Sequence, residues 1–299
     1  MSLARQIGIV GCGLMGSALA ERLLGAGYGV VGFDIDAGKL GKLQALGGIA
    51  AASPSAVACQ CDALFLAVFN TAQVEEVVER ELLPALGAGS DRILLCASTC
   101  DPDRIAALAR RIEPHRLHLL DTPISGTSEQ VRQGRGVALV SGDAGKLAEV
   151  ADVLSAVFAS HFYMGPAGNA GRTKLAINLI LGLNRLALAE GLVFAERMGL
   201  EPARFLDVAR QAASYSQVMD TKGPKMVRGD FAPEGRARQT LKDVELMLAQ
   251  ARQLGQALPL ATLNAEILDA CVRHGEGDHD NSVVIREIRR RVAPRSGNS

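Results

Sequence analysis

Lys174 and Asn178 stand four residues apart, and from Leu175 to Leu183 nearly every position is apolar. At helical spacing the two lie one above the other on one face. The run therefore predicts a helix buried on every side, with an amine and an amide pointing at the same small volume. Burial penalises a charged ammonium, so the lysine pKa is expected to move down from about 10 toward neutrality, where an amine can give and take protons. A lysine near a helix start also suits a snorkelling surface role, so its assignment depends on what else the chain supplies.

The N-terminal stretch supplies a partner for such an amine. Gln6 to Val10 predicts a short buried strand, followed by Gly11-Cys12-Gly13-Leu14-Met15-Gly16, an amphipathic helix to about Ala26, and a second strand from Gly29 to Phe33 that ends at Asp34. This is G-x-G-x-x-G in its required strand–turn–helix setting, closed by an acid. Gly11 permits the tight turn, Gly13 lets backbone approach a pyrophosphate, and Gly16 allows close helix packing. The helix N-terminus offers N–H donors and positive dipole to the anion. Asp34 can accept hydrogen bonds from a ribose 2′-OH and repels a 2′-phosphate, which favours NAD over NADP, with Lys39 and Lys42 nearby as opposing charges.

The elements that must position these residues follow as an alternation: helix 37–46, strand 63–68, helix 72–86, strand 93–97, helix 102–111 and strand 117–120. Such alternation predicts a doubly wound, mostly parallel Rossmann sheet, and ligands of such sheets gather at the carboxyl ends of the strands. Polar residues follow the strands there: Asn70 and Thr71, Ser98 and Thr99, then Asp121 to Thr127. Ser125, Gly126 and Thr127 can offer hydroxyl and backbone N–H groups to a substrate carboxylate. Asn70 and Thr99 are candidate cofactor contacts, although Ser and Thr at such places also cap helices. After strands near 137–140 and 162–164, Gly165 and Pro166 mark a break. Beyond it helices are expected near 168–197, 202–212, 215–221, 240–254 and 259–273, with a polar tail after Val292.

Composition permits this reading and narrows it. The chain has 299 residues, 48% of them hydrophobic, with 32 basic against 32 acidic side chains. Two domains are therefore expected, 1–164 and 165–299, and no charge excess points to nucleic acid or a membrane surface. Arg286, Arg289, Arg290 and Arg291 fit the solvated face of a last helix. The spacings of the six cysteines complete neither a metal site nor a disulfide framework, so reduced thiols in the cytoplasm and no metal are expected. Glycines within the apolar N-terminal run argue against a signal helix. Asn178, Asn184 and Arg185 interrupt the best candidate for a membrane span.

Taken together the motifs resemble the β-hydroxyacid dehydrogenase family, which includes 3-hydroxyisobutyrate dehydrogenases and tartronate semialdehyde reductases. The glycine fingerprint is similar at Gly11, Gly13, Leu14, Met15 and Gly16. The substrate motif D-x-P-V-S-G-G resembles Asp121–Thr127, and the catalytic motif G-x-G-x-x-x-K-x-x-x-N resembles Gly168–Asn178. A later K-D pair appears as Lys242 and Asp243, and an acidic C-terminal pattern as Gly275, Gly277, Asp278, Asp280 and Ser282. The resemblance implies hydride transfer between a β-hydroxy acid and its semialdehyde or ketone. Lys174 would be the acid/base, Asn178 would hold the reacting oxygen or orient the lysine, and Lys242 would approach the cofactor from an all-helical domain joined by the long helix, with the active site in the cleft between domains. It also implies a homodimer or homotetramer, in keeping with long apolar faces at Leu175–Phe194 and Leu254–Leu268. The chain departs from the family at Cys96, Ala170 and Thr127, and Thr127 bulks up the carboxylate site, so no named substrate carries over. The alternatives are an imine reductase-like reductase, which generally lacks the lysine, and a dinucleotide-binding sensor without chemistry.

Overall fold

The computed structural model describes residues 5–86 and 91–292; the tail after Val292 lies outside them. The chain divides into two compact units, Met1–Lys174 and Leu175–Ser299.

The first unit runs β1 (Gln6–Val10), α1 (Leu14–Gly25), β2 (Gly29–Phe33), α2 (Ala37–Ala45), β3 (Ile49–Ala50), α3 (Pro54–Gln60), β4 (Ala63–Leu66) and α4 (Thr71–Glu76). A wider helical turn at Val77–Leu82 leads to α5 (Leu83–Leu86), β5 (Arg92–Cys96), α6 (Pro102–Ile112) and β6 (Leu117–Asp121). All six strands are parallel in the order β3-β2-β1-β4-β5-β6, the doubly wound arrangement whose strand order reverses beside β1. Ile7, Ile9, Phe65 and Leu95 pack on one side of the sheet and Val10, Leu64, Leu66 and Leu94 on the other. Helices thus cover both faces, which is why these strands read as unbroken apolar runs.

A smaller sheet follows: β7 (Ile124–Ser125), α7 (Ser128–Arg132), β8 (Val137–Val140), α8 (Ala144–Glu149), α9 (Ala151–Val157) and β9 (Ser160–Tyr163), in the order β7-β8-β9. Its β9 begins two residues earlier than the sequence predicts. The two-residue strands β3 and β7, and the short helices α3, α7, α8 and α9, have no counterpart in the sequence reading. Elements of that length carry too few residues to express a period.

α10 (Asn169–Arg197) begins in the first unit and continues through the second, which adds α11 (Pro202–Ala209), α12 (Gln217–Thr221), α13 (Gly223–Arg228), α14 (Ala237–Gln253), α15 (Pro259–Arg273) and α16 (Val284–Arg290). No strand occurs among its described residues. The division falls inside α10, ten residues past the expected boundary, because the first turn of the helix is bonded to strand ends of the N-terminal sheet.

The expectation of a helix buried on every side fails for α10. Leu186, Leu188, Ala189 and Leu192 enter the core of the second unit, but Ile180 is 62% exposed and Phe194 65%. An apolar run states that a surface wants covering; among the described residues only one side of it is covered. By length and composition α10 is also apolar enough to cross a membrane, despite Asn178, Asn184 and Arg185 within it.

Candidate active site

The glycine turn is built as its spacing demands. Gly11 has φ +96°, and a Cβ there would lie 2.5 Å from the Ala67 carbonyl oxygen; a Cβ on Gly16 would lie 1.9 Å from the Gly11 carbonyl oxygen. Neither position tolerates a side chain without moving backbone. Gly13 differs, since a Cβ there would meet nothing within 4 Å, so open space lies over its backbone. Gly13 is also the N-cap of α1, and no side chain caps that terminus. A half-buried helix start with no side-chain cap, behind a glycine turn, fits a pyrophosphate.

Asp34 sits just past the end of β2 and is 8% exposed. Its Oδ2 accepts the Cys12 N–H at 2.7 Å and its Oδ1 the Asp36 N–H at 2.9 Å, and Lys39 Nζ lies 3.1 Å from Oδ1. The acid is thus tied to the glycine turn itself. Lys39 Nζ also reaches Oδ2 at 3.4 Å, so all four acceptor sites of the carboxylate are addressed and a ribose hydroxyl would compete with Lys39 for them. Burial, then the Asp34 charge, pushes the Cys12 thiol up to about 11, so it stays protonated. Leu14 and Met15 form the first turn of α1, both half-buried.

Around the carboxyl ends of β4 and β5 the polar residues divide. Asn70 caps α4 through its Oδ1, which accepts the Gln73 N–H at 2.9 Å, leaving its amide N–H groups for other work. Ser98 is buried and donates to the Val68 carbonyl at 2.7 Å, so it ties strand ends together. Thr99 is half-buried beside it. In the loop after β6, Gly126 adopts φ +132°, and Ser125 and Gly126 are half-buried. Thr127 is committed elsewhere: its Oγ1 accepts the Gln130 N–H at 3.2 Å, and its own N–H donates to Gln130 Oε1 at 2.8 Å. The residue expected to present both groups to a carboxylate closes a capping box on α7 instead.

Lys174 is 5% exposed. Ala170, in place of the family glycine, is fully buried, so its methyl group is accommodated. Gly168 has φ +92° and would bring a Cβ within 2.6 Å of the Pro102 carbonyl oxygen. One turn beyond Lys174, Asn178 donates through Nδ2 to Asp243 Oδ2 at 3.1 Å, and Lys242 Nζ lies 3.0 Å from Asp243 Oδ1. Asp243 of the K-D pair on α14 therefore orients Asn178, a role with no signal in the residue spacing. Asp280 and Ser282 of the acidic C-terminal pattern serve structure: Asp280 accepts from Lys222, the Glu234 and Gly235 N–H groups, and Ser282. Among the described residues no group of three or more His, Cys, Asp or Glu could hold a metal ion.

Known proteins match along nearly the whole chain. Residues 6–165 match the family described as the NAD binding domain of 6-phosphogluconate dehydrogenase, and residues 168–288 match that described as NAD-binding of NADP-dependent 3-hydroxyisobutyrate dehydrogenase. A probable 3-hydroxyisobutyrate dehydrogenase-like protein of Arabidopsis thaliana is 32% identical, over 95% of this chain and 94% of its own. An L-threonate dehydrogenase of Cupriavidus necator is 29% identical, over 95% and 96%. The crystal structure of a 3-hydroxyisobutyrate dehydrogenase from Salmonella typhimurium superposes with a TM-score of 0.86 at 29% identity, over 94% of this chain and 99% of that one. The glycine turn with its acid, the lysine-bearing helix and these matches together place the chain in the β-hydroxyacid dehydrogenase family of NAD(P)-dependent oxidoreductases.

Proposed function

We propose that this chain interconverts a small β-hydroxy acid and its semialdehyde or ketone, with Lys174 as general acid and base. The observation that carries the reading is the burial of Lys174 one helical turn before Asn178, on a helix whose start is bonded to the strand ends of a nucleotide-binding sheet. When bound, the nicotinamide supplies the site that takes or gives hydride. Lys174 Nζ takes the hydroxyl proton as the carbinol is oxidised and returns it to the carbonyl oxygen in reduction. Asn178, its amide fixed by Asp243, keeps its carbonyl and one N–H to hold the reacting oxygen. The Ser125 hydroxyl and the Gly126 N–H receive the substrate carboxylate. Thr127 contributes there only if Gln130 releases it.

NAD is the favoured cofactor, because the Asp34 carboxylate can accept a 2′-OH in exchange for Lys39 and repels a 2′-phosphate. Lys39, 3.1 Å from that carboxylate, offsets part of the repulsion and keeps the preference modest. The exposed apolar row Ile180, Leu181 and Phe194 on α10 supports self-association as a dimer or tetramer. Oxidation of NADH and NADPH against a panel of semialdehydes and 2- and 3-keto acids tests the reading. Turnover of at least one short carboxylated carbonyl compound, faster with NADH, is expected; no turnover across the panel refutes it.

A further inference from the structure

We infer that Asp121, paired with Ser141, is a positioning residue that clamps the first turn of α10 and thereby aims Lys174. The inference rests on the reading of Lys174 above. Asp121 ends β6 and is 2% exposed, and its Oδ2 accepts the Gly171 N–H at 2.7 Å. The Ser141 hydroxyl, fully buried, accepts the Ala170 N–H at 3.1 Å and hydrogen-bonds the Asp121 carboxylate. The two residues are locked backbone to backbone, each N–H donating to the other's carbonyl at 2.9 Å. Two of the helix's orphan N–H groups are therefore held by one rigid strand-end pair.

The place of this clamp matters. Ala170 and Gly171 lie four and three residues before Lys174, and a helical side chain leans over the turn N-terminal to its own Cα. The lysine stem thus lies over the clamped turn. Gly171 permits the approach, since a Cβ there would stand 3.1 Å from Asp121 Oδ2 and 3.3 Å from Pro102 Cγ. Asp121 also opens the segment that runs to Ser125 and Gly126, so one residue fixes the lysine turn and the carboxylate loop in the same frame.

The clamp is sensitive to protonation. Burial raises the Asp121 carboxyl to about 7, against the pull of the Gly171 N–H, Ser141 and Arg172. Facing it from the packed elements are Cys96 of β5, itself held protonated by its hydrogen bond to Cys100 and by burial, and Arg172 of α10, which pairs with Asp103 of α6. Other charges nearby are directed away: Lys146 of α8 to Asp91 and Glu149, Arg104 and Arg111 of α6 to Glu75 and Glu79.

The test compares Asp121→Ala and Asp121→Asn with the unsubstituted enzyme, by steady-state kinetics from pH 5.5 to 9 and by amide hydrogen exchange. Asp121→Ala should lower kcat about 100-fold, as misplacement of a catalytic group by an ångström can, with the KM for NADH nearly unchanged. Exchange should accelerate at Ala170 and Gly171 and not across the sheet. Asp121→Asn keeps an acceptor but cannot ionise, so it should recover most of the lost kcat and erase an ionisation near pH 7. An alanine variant with kcat within twofold of the original, exchange accelerated uniformly through the unit, or an asparagine variant with the original pH profile would each overturn the clamp. Lys174→Ala serves as the control: if it still turns over, the catalytic reading fails; if it is dead while Asp121→Ala is normal, only the clamp fails.

Discussion

The two units bury polar groups for different ends. In the first, the buried polar side chains Asp34, Ser98, Asp121 and Ser141 sit at or just past the carboxyl ends of β2, β5, β6 and β8, each answered by backbone N–H or carbonyl groups. In the second, charges meet charges inside a helical core. Asp280, with no exposed surface, receives Lys222 Nζ at 2.8 Å, and the buried Glu276 receives Arg286 and Arg290, whose side chains reach it from the surface. Arg185, 4% exposed, has Asp280 and Asp243 as its charge neighbours, and its burial lowers it to about 10. Buried polarity thus frames a ligand edge in the sheet and fastens loops to helices in the bundle. Variants in the two units should accordingly fail in different ways, one in binding and turnover, the other in folding.

The largest effect on folding is expected from Asp280→Ala. Removing it leaves Lys222 in the core with Glu234, at 3.4 Å, as its remaining carboxylate partner, and breaking a buried pair costs up to about 3–5 kcal/mol, to be read as a lower urea midpoint; replacing Lys222 by Met as well should recover part of it. The pH dependence has a definite sign. Burial raises the Asp280 carboxyl, but Lys222, the Glu234 N–H and Ser282 together hold it below its ordinary value of 3.8. Its contribution is therefore present above pH 3.8 and disappears as pH falls through the lower folded value. A stability loss already under way at pH 6 would have another source.

Gly16→Ala should come next. The added carbon would press on the Gly11 carbonyl at 1.9 Å, costing about 1–3 kcal/mol as overpacking does and weakening NADH binding through the distorted turn. Unlike Asp280→Ala it should raise the NADH Kd, measured by fluorescence titration; an unchanged Kd would show that the turn does not hold the cofactor. The smallest effect is expected of Asp34→Ala, which should narrow the ratio of NADPH to NADH Kd by roughly tenfold, about 1.4 kcal/mol. Equal affinities before substitution would remove Asp34 from cofactor choice.

How far these features could be read in advance follows their range along the chain. Gly11, Gly16 and Asp34 were legible because a tight turn and a helix–strand contact constrain residue type locally. The placing of Lys174 and Asn178 one turn apart on a single helix was legible because that helix sets their spacing. The Asp121–Gly171 bond joins residues 50 apart, and Asp243 reaches Asn178 from a helix 65 residues on; spacing says nothing about either. Thr127 is a different case. Its partner Gln130 is three residues away, and T-x-x-Q is a capping-box pattern, so the local signal was present beneath the expectation of a carboxylate site. The exposed side of α10 was hidden for another reason: hydrophobicity shows that a surface needs cover and not whether the same chain provides it.

The most direct test of the account is Lys174→Ala, assayed for NADH binding and turnover in parallel. An NADH Kd within about threefold of the original is expected, with kcat reduced by at least about 1,000-fold, some 4 kcal/mol of transition-state stabilisation. Turnover within tenfold of the original, with the fold intact, would contradict it.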